Sequence, residues 1–296
     1  MICLVNKSVF EISNILKQKL TILEVHEIIE FSILDPDNSN NHIGYKALVD
    51  LAQMLYCKML TPHMIGNDTI KVRFQKLNTQ DSFHNSSVLN NEKYGTDSTF
   101  ATIEKNNQPS FLLHYIKALQ NVDINKRLRI LNLGINSGDE FSVIKQFATN
   151  FKNIELVGID YCPSAIKEAK KKFQDTNITF LEADINQLSD LNLGEFDLII
   201  TIGTLQSSNL DFNKVFMNLV QNHLKKDGAM IVGFPNCRWC DGEMIYGANV
   251  KNYNFSEMSV LYKDVVFCKK YMQQKKFRVT ITGKDYIFLT ATSIRK

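Results

Sequence analysis

The sequence predicts an α/β protein whose main sheet has seven strands, most of them parallel, with an antiparallel hairpin strand at the C-terminal end. From residue 110 onward, apolar runs alternate with helical patterns, and strands joined through helices pair in parallel. The last two apolar runs are separated only by Gly283, Lys284 and Asp285, a turn that permits a hairpin but no parallel crossover. Residues 1–108 show helical spacing instead, which predicts a mainly helical N-terminal region.

The strand predictions rest on short apolar runs, which are typical of strands that are buried on both faces of a sheet. These runs cover residues 129–134, 154–160, 178–184, 196–203, 229–235, 278–283 and 286–294. Helices are predicted at residues 110–122, 138–150, 163–174, 211–224 and 256–276, with a shorter connection at 185–195.

The N-terminal region is predicted to contain two helices and one short strand. Apolar positions recur at three- and four-residue steps in residues 10–35 and 43–61, with a dense set of turn formers between the two segments. Ile70, Val72 and Phe74 alternate with charged residues, which predicts a strand.

A polar stretch separates the two halves of the chain. Residues 78–108 are rich in Asn and Ser, which is typical of a loop or linker that buries little surface. We therefore expect an N-terminal cap or substrate region over residues 1–108 and a second domain over residues 109–296.

The composition favours an ordinary folded protein and excludes several classes. The 296 residues are 44% apolar and 22% charged, close to the averages for globular domains. The formal net charge of +3 is small for a protein held on nucleic acid by phosphate contacts. The sequence shows no export signature and no run of 18 apolar residues, and its six cysteines are scattered. These features predict a cytoplasmic location, reduced thiols and no membrane span.

Polar and glycine residues follow the ends of four predicted strands. The first strand runs into a loop with Gly134 and Gly138, which suits either a tight turn or a close backbone approach to a ligand. Asp160 ends the second strand, 22 residues after Gly138, where a carboxylate can accept both hydroxyls of a ribose or cap the next helix. Asp184 closes the third strand, and a polar stretch follows Gly203 at the end of the fourth. The sequence thus predicts one crevice at the carboxyl edge of the sheet.

This combination resembles the class I S-adenosylmethionine-dependent methyltransferases, a Rossmann-like family, over residues 126–296. The resemblance implies S-adenosylmethionine as cofactor. It places Gly134, Ile135, Asn136 and Gly138 along the methionine and ribose, and Asp160 at the ribose hydroxyls. It places Tyr161 near the adenine, and Asp184 and Ile185 at the adenine edge. It places Thr201, Ile202 and Gly203 under the sulfonium.

Two positions depart from the pattern of the family. Asn132 stands where the family usually has an acidic residue that contacts the amino group of the cofactor, and Asn136 stands where it usually has glycine. An asparagine supplies a carbonyl acceptor and tolerates left-handed backbone, so we keep both residues in the predicted site. An NAD-dependent enzyme is disfavoured because the full G-x-G-x-x-G spacing is absent.

The acceptor pocket is predicted to involve the long segment 234–255, which is rich in aromatic and charged residues. Asp241, Glu243 and Tyr246 are the candidates for catalytic residues, with either carboxylate as general base. In the alternative interpretation, the aromatic residues of this segment only pack it onto the domain. The Cys237 and Cys240 pair lacks the further ligands of a zinc site, so structural thiols are predicted and no metal.

Residues 93–116 precede the predicted cofactor domain and are interpreted as either a lid or a plain connector. The lid candidates are Tyr94, Asp97, Phe100 and Lys105. The predicted function is methyl transfer to a small-molecule acceptor. Two alternatives remain open: an RNA- or protein-modifying methyltransferase with an N-terminal binding module, and a catalytically silent cofactor-binding protein.

Overall fold

The computed structural model describes residues 1–38, 43–80, 92, 94–207, 209–248 and 258–295. The chain divides into two compact units. The N-terminal unit comprises Met1–Asn85 and Trp239–Tyr246, and the C-terminal unit comprises Ser86–Arg238 and Gly247–Lys296. The first unit thus ends earlier than the boundary at residue 108 that the sequence predicts, and it also includes a segment from the second half of the chain.

The N-terminal unit is built from a four-stranded sheet and the helices packed on it, within the residues described. Its elements are β1 Ile2–Cys3, α1 Val9–Leu20, β2 Ile28–Leu34, α2 Tyr45–Met54, β3 Cys57–Met64 and β4 Thr69–Lys76. The strand order is β1-β2-β4-β3, with β1 parallel to β2 and the other pairs antiparallel. Leu16 of α1 and Leu48 of α2 pack in one core with Phe31, Val72 and Phe74 of the sheet.

This unit corrects the prediction of a mainly helical N-terminal region. The helix predicted over residues 10–35 ends at Leu20, and the second half of that segment is strand β2. The helix predicted over residues 43–61 ends at Met54, and β3 follows. Short apolar runs do not by themselves distinguish a strand from a buried helix. Both segments form strands because β2 and β3 pair with β4.

The C-terminal unit contains the predicted seven-stranded sheet, counted over the described residues. Its elements are α3 Pro109–Asn121, β5 Arg129–Leu133, α4 Asp139–Phe147, β6 Glu155–Asp160, α5 Pro163–Lys172, β7 Ile178–Glu182, β8 Phe196–Ile202, α6 Phe212–Asn218 and β9 Leu224–Pro235, then α7 Ser259–Gln274, β12 Phe277–Gly283 and β13 Tyr286–Ser293. Between β9 and α7 in the chain, β10 Cys237–Cys240 and β11 Glu243–Tyr246 form a separate two-stranded sheet, and its residues 239–246 belong to the N-terminal unit.

The strand order of the main sheet is β12-β13-β9-β8-β5-β6-β7. The pairs from β9 to β7 are parallel, and β13 is antiparallel to both β9 and β12, as the short turn predicts. Helices α6 and α7 cover one face of the sheet, and α3 packs Phe111 and Tyr115 against Phe288 on the other. The α/β fold and its closing hairpin are therefore confirmed.

The order of the strands determines where a ligand can bind. After β5 the chain continues outward through β6 and β7, then returns to place β8 on the opposite side of β5. Open α/β sheets bind ligands at such a switch point, in the crevice at the carboxyl ends of the strands. In this unit the crevice lies at the ends of β5, β6 and β8. No helix within the described ranges is long and apolar enough to cross a membrane.

Candidate active site

The loop between β5 and α4 has a backbone that requires small or adaptable residues. Gly134 and Gly138 have φ values of +72° and +91°, in the left-handed region. A Cβ on Gly134 would overlap with the side chain of Thr204, and a Cβ on Gly138 would overlap with the ring of Phe173. Asn136 is also left-handed, with φ of +47°, which explains how asparagine replaces the usual glycine there. The loop therefore places backbone atoms that no side chain covers at the carboxyl edge of the sheet.

Asp160 lies at the end of β6 and is held against this loop. Its Oδ2 accepts the backbone N–H of Asn136 at 2.8 Å, and its Oδ1 accepts that of Cys162 at 2.9 Å. Burial raises the pKa of Asp160 above its ordinary value of 3.8, and these backbone donors oppose the shift. A carboxylate can accept about four hydrogen bonds, so Asp160 keeps acceptor capacity for the hydroxyls of a ribose.

The residues predicted beside the adenine follow β6 and β7. The side chain of Tyr161 is half exposed, and Ile185 is buried. Asp184 caps the short helical run that follows β7, because its Oδ1 accepts the backbone N–H of Asn186 at 2.9 Å. The backbone N–H of Ala183 donates to the carbonyl of Asp160 at 3.0 Å. The ends of the two strands are therefore joined on the side of the crevice where the resemblance places adenine.

The fourth group lies at the end of β8, beside the end of β5. Thr201 and Ile202 are buried, and Gly203 has φ of +75°. The hydroxyl of Thr204 donates to the carbonyl of Leu133 at 2.9 Å, which ties the two strand ends together. The structure thus brings the loop, Asp160 and the end of β8 to one rim, as the strand order requires.

Three buried polar atoms around this rim have no hydrogen-bond partner among the described residues. They are Nδ2 of Asn132, Oε2 of Glu140 and Oγ1 of Thr201, and each side chain is about 1% exposed. Such atoms are rare in folded proteins, because a buried polar atom without a partner costs about 1–3 kcal/mol. They belong to β5, α4 and β8, the elements next to the Gly134 loop, so polar ligands bound at this rim would supply the missing partners.

Residues 94–107, which we call the strap, contact the loop between β5 and α4 and the elements next to it. The backbone carbonyl of Tyr94 accepts a hydrogen bond from Nδ2 of Asn136 at 2.7 Å. The hydroxyl of Tyr94 forms a hydrogen bond with the side chain of Ser207, which follows β8. The backbone N–H of Thr96 donates to the hydroxyl of Ser164 at 3.1 Å. The ring of Tyr94 packs edge-on against Phe100, with centroids 5.1 Å apart. The strap therefore spans the rim from α5 to the end of β8.

Of the lid candidates, Tyr94, Phe100 and Lys105 make contacts within the C-terminal unit, whereas Asp97 is exposed. Lys105 forms an ion pair with Glu140, with Nζ 2.7 Å from Oε1. Burial lowers the pKa of Lys105, but the surrounding carboxylates outweigh burial and raise it overall. Burial also raises the pKa of Glu140, and the charge of Lys105 opposes that shift.

The predicted catalytic residues belong to the N-terminal unit, whereas all the predicted cofactor residues belong to the C-terminal unit. The Oδ2 of Asp241 contacts Nε2 of His26 at 2.7 Å and accepts the backbone N–H of Asn78 at 3.0 Å. Glu243 pairs with Lys58, and Tyr246 is 41% exposed. These contacts hold the segment on the N-terminal sheet. The role of Asp241, Glu243 or Tyr246 in catalysis stays a prediction, and residues 249–255 of the predicted acceptor segment lie outside the described residues.

The two cysteines of the C-x-x-C sequence are buried in different units. Burial raises the pKa of the Cys237 thiol, and the Cys240 thiol donates to the carbonyl of Asn78 at 3.3 Å. All six cysteines of the sequence lie in the described ranges and are free thiols. In those same ranges, no group of three or more His, Cys, Asp or Glu side chains is arranged to hold a metal ion.

Sequence reasoning missed Glu140, Thr204 and Ser207. Glu140 reads as an ordinary acidic residue in the first turn of a helix, and its burial depends on Lys105, which lies 35 positions earlier. Thr204 and Ser207 lie in a polar stretch after β8 whose sequence indicates no role for single residues. Only the contacts of Thr204 with β5 and of Ser207 with Tyr94 identify them as part of the rim.

Comparison with known families agrees with this geometry. A family model described as "Methyltransferase domain" matches residues 124–284, which is more than half of the chain. The chain therefore belongs to this methyltransferase family. This match confirms the resemblance to the class I S-adenosylmethionine-dependent methyltransferase family that the sequence shows.

Characterised relatives cover only part of the chain and differ in what their names say they modify. Protein-lysine N-methyltransferase EFM4 of Saccharomyces cerevisiae is 28% identical over 135 residues, 41% of this chain and 56% of the relative. Malonyl-[acyl-carrier protein] O-methyltransferase of Acetivibrio thermocellus is 31% identical over 109 residues, 37% and 36% respectively. Carboxy-S-adenosyl-L-methionine synthase of Helicobacter pylori is 26% identical over 152 residues, 48% and 59%. The chain therefore spans less than two thirds of each of these relatives.

Solved structures that match part of the chain include further methyltransferases. The plantazolicin methyltransferase BpumL, solved in complex with a desmethylPZN analog and SAH, is 12% identical with a TM-score of 0.46, and the match covers 64% of this chain and 87% of that one. The precorrin-6y C5,15-methyltransferase of Geobacter metallireducens is 14% identical with a TM-score of 0.43, and the match covers 60% and 88%.

Proposed function

We propose that this methyltransferase acts on a small-molecule acceptor that carries a nucleophilic N–H or O–H group. Two buried polar side chains carry the proposal, Thr201 near the end of β8 and Asn236 just after β9. In the described part of the chain, Oγ1 of Thr201 and Oδ1 of Asn236 have no hydrogen-bond partner. A small-molecule substrate whose N–H or O–H groups donate hydrogen bonds to these oxygens would satisfy both.

Asn236 is held rigidly enough to orient a small molecule. Its backbone N–H donates to the carbonyl of Asp285 at 2.8 Å, and its Nδ2 donates to the carbonyl of Lys284 at 3.0 Å. Its own carbonyl accepts the backbone N–H of Gly247 at 2.9 Å. With Nδ2 fixed in this way, Oδ1 is the free atom of the amide, and it is an acceptor only.

When bound, S-adenosylmethionine supplies a methyl group that a nucleophile can attack, and the positively charged sulfur is the leaving group. The residues of this chain align the two reactants, since orientation is the main contribution a protein makes to such a transfer. The buried oxygens of Thr201 and Asn236 would accept hydrogen bonds from the acceptor and fix the direction of its nucleophilic atom. We retain Asp241, Glu243 and Tyr246 as candidates for the group that removes a proton.

A protein acceptor is the second candidate, because one of the matched relatives is named as a protein-lysine methyltransferase. An RNA acceptor is disfavoured by the small net charge. We also propose a cytoplasmic location, which the buried free thiols of Cys57, Cys162 and Cys268 support because thiols persist in reducing compartments.

Radiolabelled methyl transfer into a cell extract separates these candidates. The full chain is incubated with methyl-labelled S-adenosylmethionine and extract, and the products are fractionated by size. We expect label in the small-molecule fraction, and less of it with Asn236→Leu than with the matched variant Asn14→Leu, which changes an exposed residue of helix α1. Label that remains with macromolecules and is released by protease or ribonuclease would contradict the proposal.

A further inference from the structure

A buried ion pair between Lys105 and Glu140 lies beside the cofactor loop. The side chains are only 12% and 1% exposed, and Nζ lies 2.7 Å from Oε1. Removing two charges from water costs several kcal/mol per ion, and well-packed apolar residues are often equally stabilising in such places. The pair is therefore poorly explained as a device for stability alone.

The hydrogen bonds of this pair are incomplete. The Oε2 of Glu140 is buried and has no partner among the described residues. The Lys105 ammonium has three N–H donors, and within the same residues only the bond to Glu140 uses one of them. The carboxylate of Glu140 therefore keeps a free hydrogen-bond acceptor, and the neighbouring ammonium of Lys105 keeps free donors. The two groups carry opposite charges.

The pair lies on the methionine side of the crevice. Glu140 follows Gly138 by two residues, at the end of the loop that the resemblance places along methionine and ribose. The Nδ2 of Asn106 donates to the carbonyl of Asp139 at 3.0 Å, which fixes the turn carrying Lys105 to the start of α4. The charge of Asp160 also acts on Lys105, so the ammonium lies within electrostatic reach of the ribose-binding carboxylate.

We propose that Lys105 and Glu140 bind the amino-acid end of S-adenosylmethionine, an inference that rests on the cofactor-binding function. Lys105 donates to the α-carboxylate, and the Oε2 of Glu140 accepts from the α-ammonium. The group they bind carries one charge of each sign, so it matches the pair without leaving a net buried charge. This assignment also accounts for Asn132, because Glu140 supplies the negative charge that the family usually has at that position.

Two ligands that differ only at this end test the proposal. S-adenosylhomocysteine carries the amino-acid group, whereas 5′-methylthioadenosine keeps the adenosyl thioether and lacks it. Both are titrated by calorimetry into the full chain, into Glu140→Gln, which keeps the shape of the side chain, and into Lys105→Met/Glu140→Leu, which replaces both charges with apolar groups. Exposed Lys126→Met is the matched control.

We expect each pair variant to bind S-adenosylhomocysteine about 10- to 100-fold more weakly, because a hydrogen bond between charged groups is worth about that factor. Its affinity for 5′-methylthioadenosine should stay within about 3-fold of the parent. Equal losses for both ligands would show a structural role, and no loss for either would also overturn the proposal. If the parent chain binds neither ligand, the cofactor-binding function itself fails, which is a distinct result.

Discussion

Replacement of Asp160 by asparagine tests how the crevice holds the ribose. Asparagine has nearly the same shape, but it has one acceptor oxygen where Asp160 has two that accept the N–H groups of Asn136 and Cys162. One of these buried donors is left without a partner, which costs about 1–3 kcal/mol of folding free energy. The ribose contacts change from charged to neutral hydrogen bonds, a loss of about 1 kcal/mol each. Two such contacts correspond to about a 30-fold weaker affinity.

Calorimetry with S-adenosylhomocysteine measures this loss directly, and thermal unfolding measures the cost to the fold. The matched control is Asp190→Asn, an exposed residue of the same unit, for which we expect neither effect. Both S-adenosylhomocysteine and 5′-methylthioadenosine should weaken together, because both carry the ribose. A folded Asp160→Asn variant that binds both ligands within about 2-fold of the parent would refute the assignment of Asp160 to the ribose.

Three further predictions follow from the same rim. Gly134→Ala should lower the melting temperature by several degrees, because its Cβ overlaps Thr204 at a left-handed φ, whereas Gly66→Ala has room for the added atom and should melt like the parent. Asn136→Gly removes the bond to Tyr94, so backbone amides of the strap should exchange hydrogen faster by mass spectrometry while S-adenosylhomocysteine still binds. The affinity for S-adenosylhomocysteine should fall as the pH is lowered, with a midpoint above 3.8, because burial raises the pKa of Asp160 and its ionised form is the better acceptor.

Each of these predictions has a contrary result. Equal melting of Gly134→Ala and Gly66→Ala would show that the loop accommodates a side chain. Unchanged exchange of the strap in Asn136→Gly would show that other contacts hold it. A pH-dependent step that persists unchanged in Asp160→Asn would belong to another group, because the amide does not titrate in this range.

The sheet was predictable because its evidence is local and repeated. The runs around Ile130, Ile159 and Ile199 are apolar over a strand's length, and each is followed by a helical pattern that forces a parallel crossover. The hairpin between β12 and β13 follows from the short turn alone. Fold class, family and cofactor were therefore accessible from the sequence: the seven-stranded sheet confirms the fold class, and the family match confirms the family and its cofactor.

The N-terminal unit was less predictable because its structure depends on contacts between distant residues. Residues 28–34 contain apolar positions that fit a helix or a strand, and only pairing with β4 selects the strand. The segment 239–246 joins this unit through contacts of Asp241 with His26 and Asn78, and no local sequence pattern predicts these contacts. For the same reason the burial of Glu140 appears only when Lys105 is placed beside it.

A crystal structure with S-adenosylhomocysteine would show which residues of this chain hold the cofactor. We expect the ligand at the carboxyl ends of β5, β6 and β8, with both ribose hydroxyls on the Asp160 carboxylate and the amino-acid end against the ion pair of Lys105 and Glu140. A rim without ligand, or a ribose that makes no contact with Asp160, would contradict this expectation.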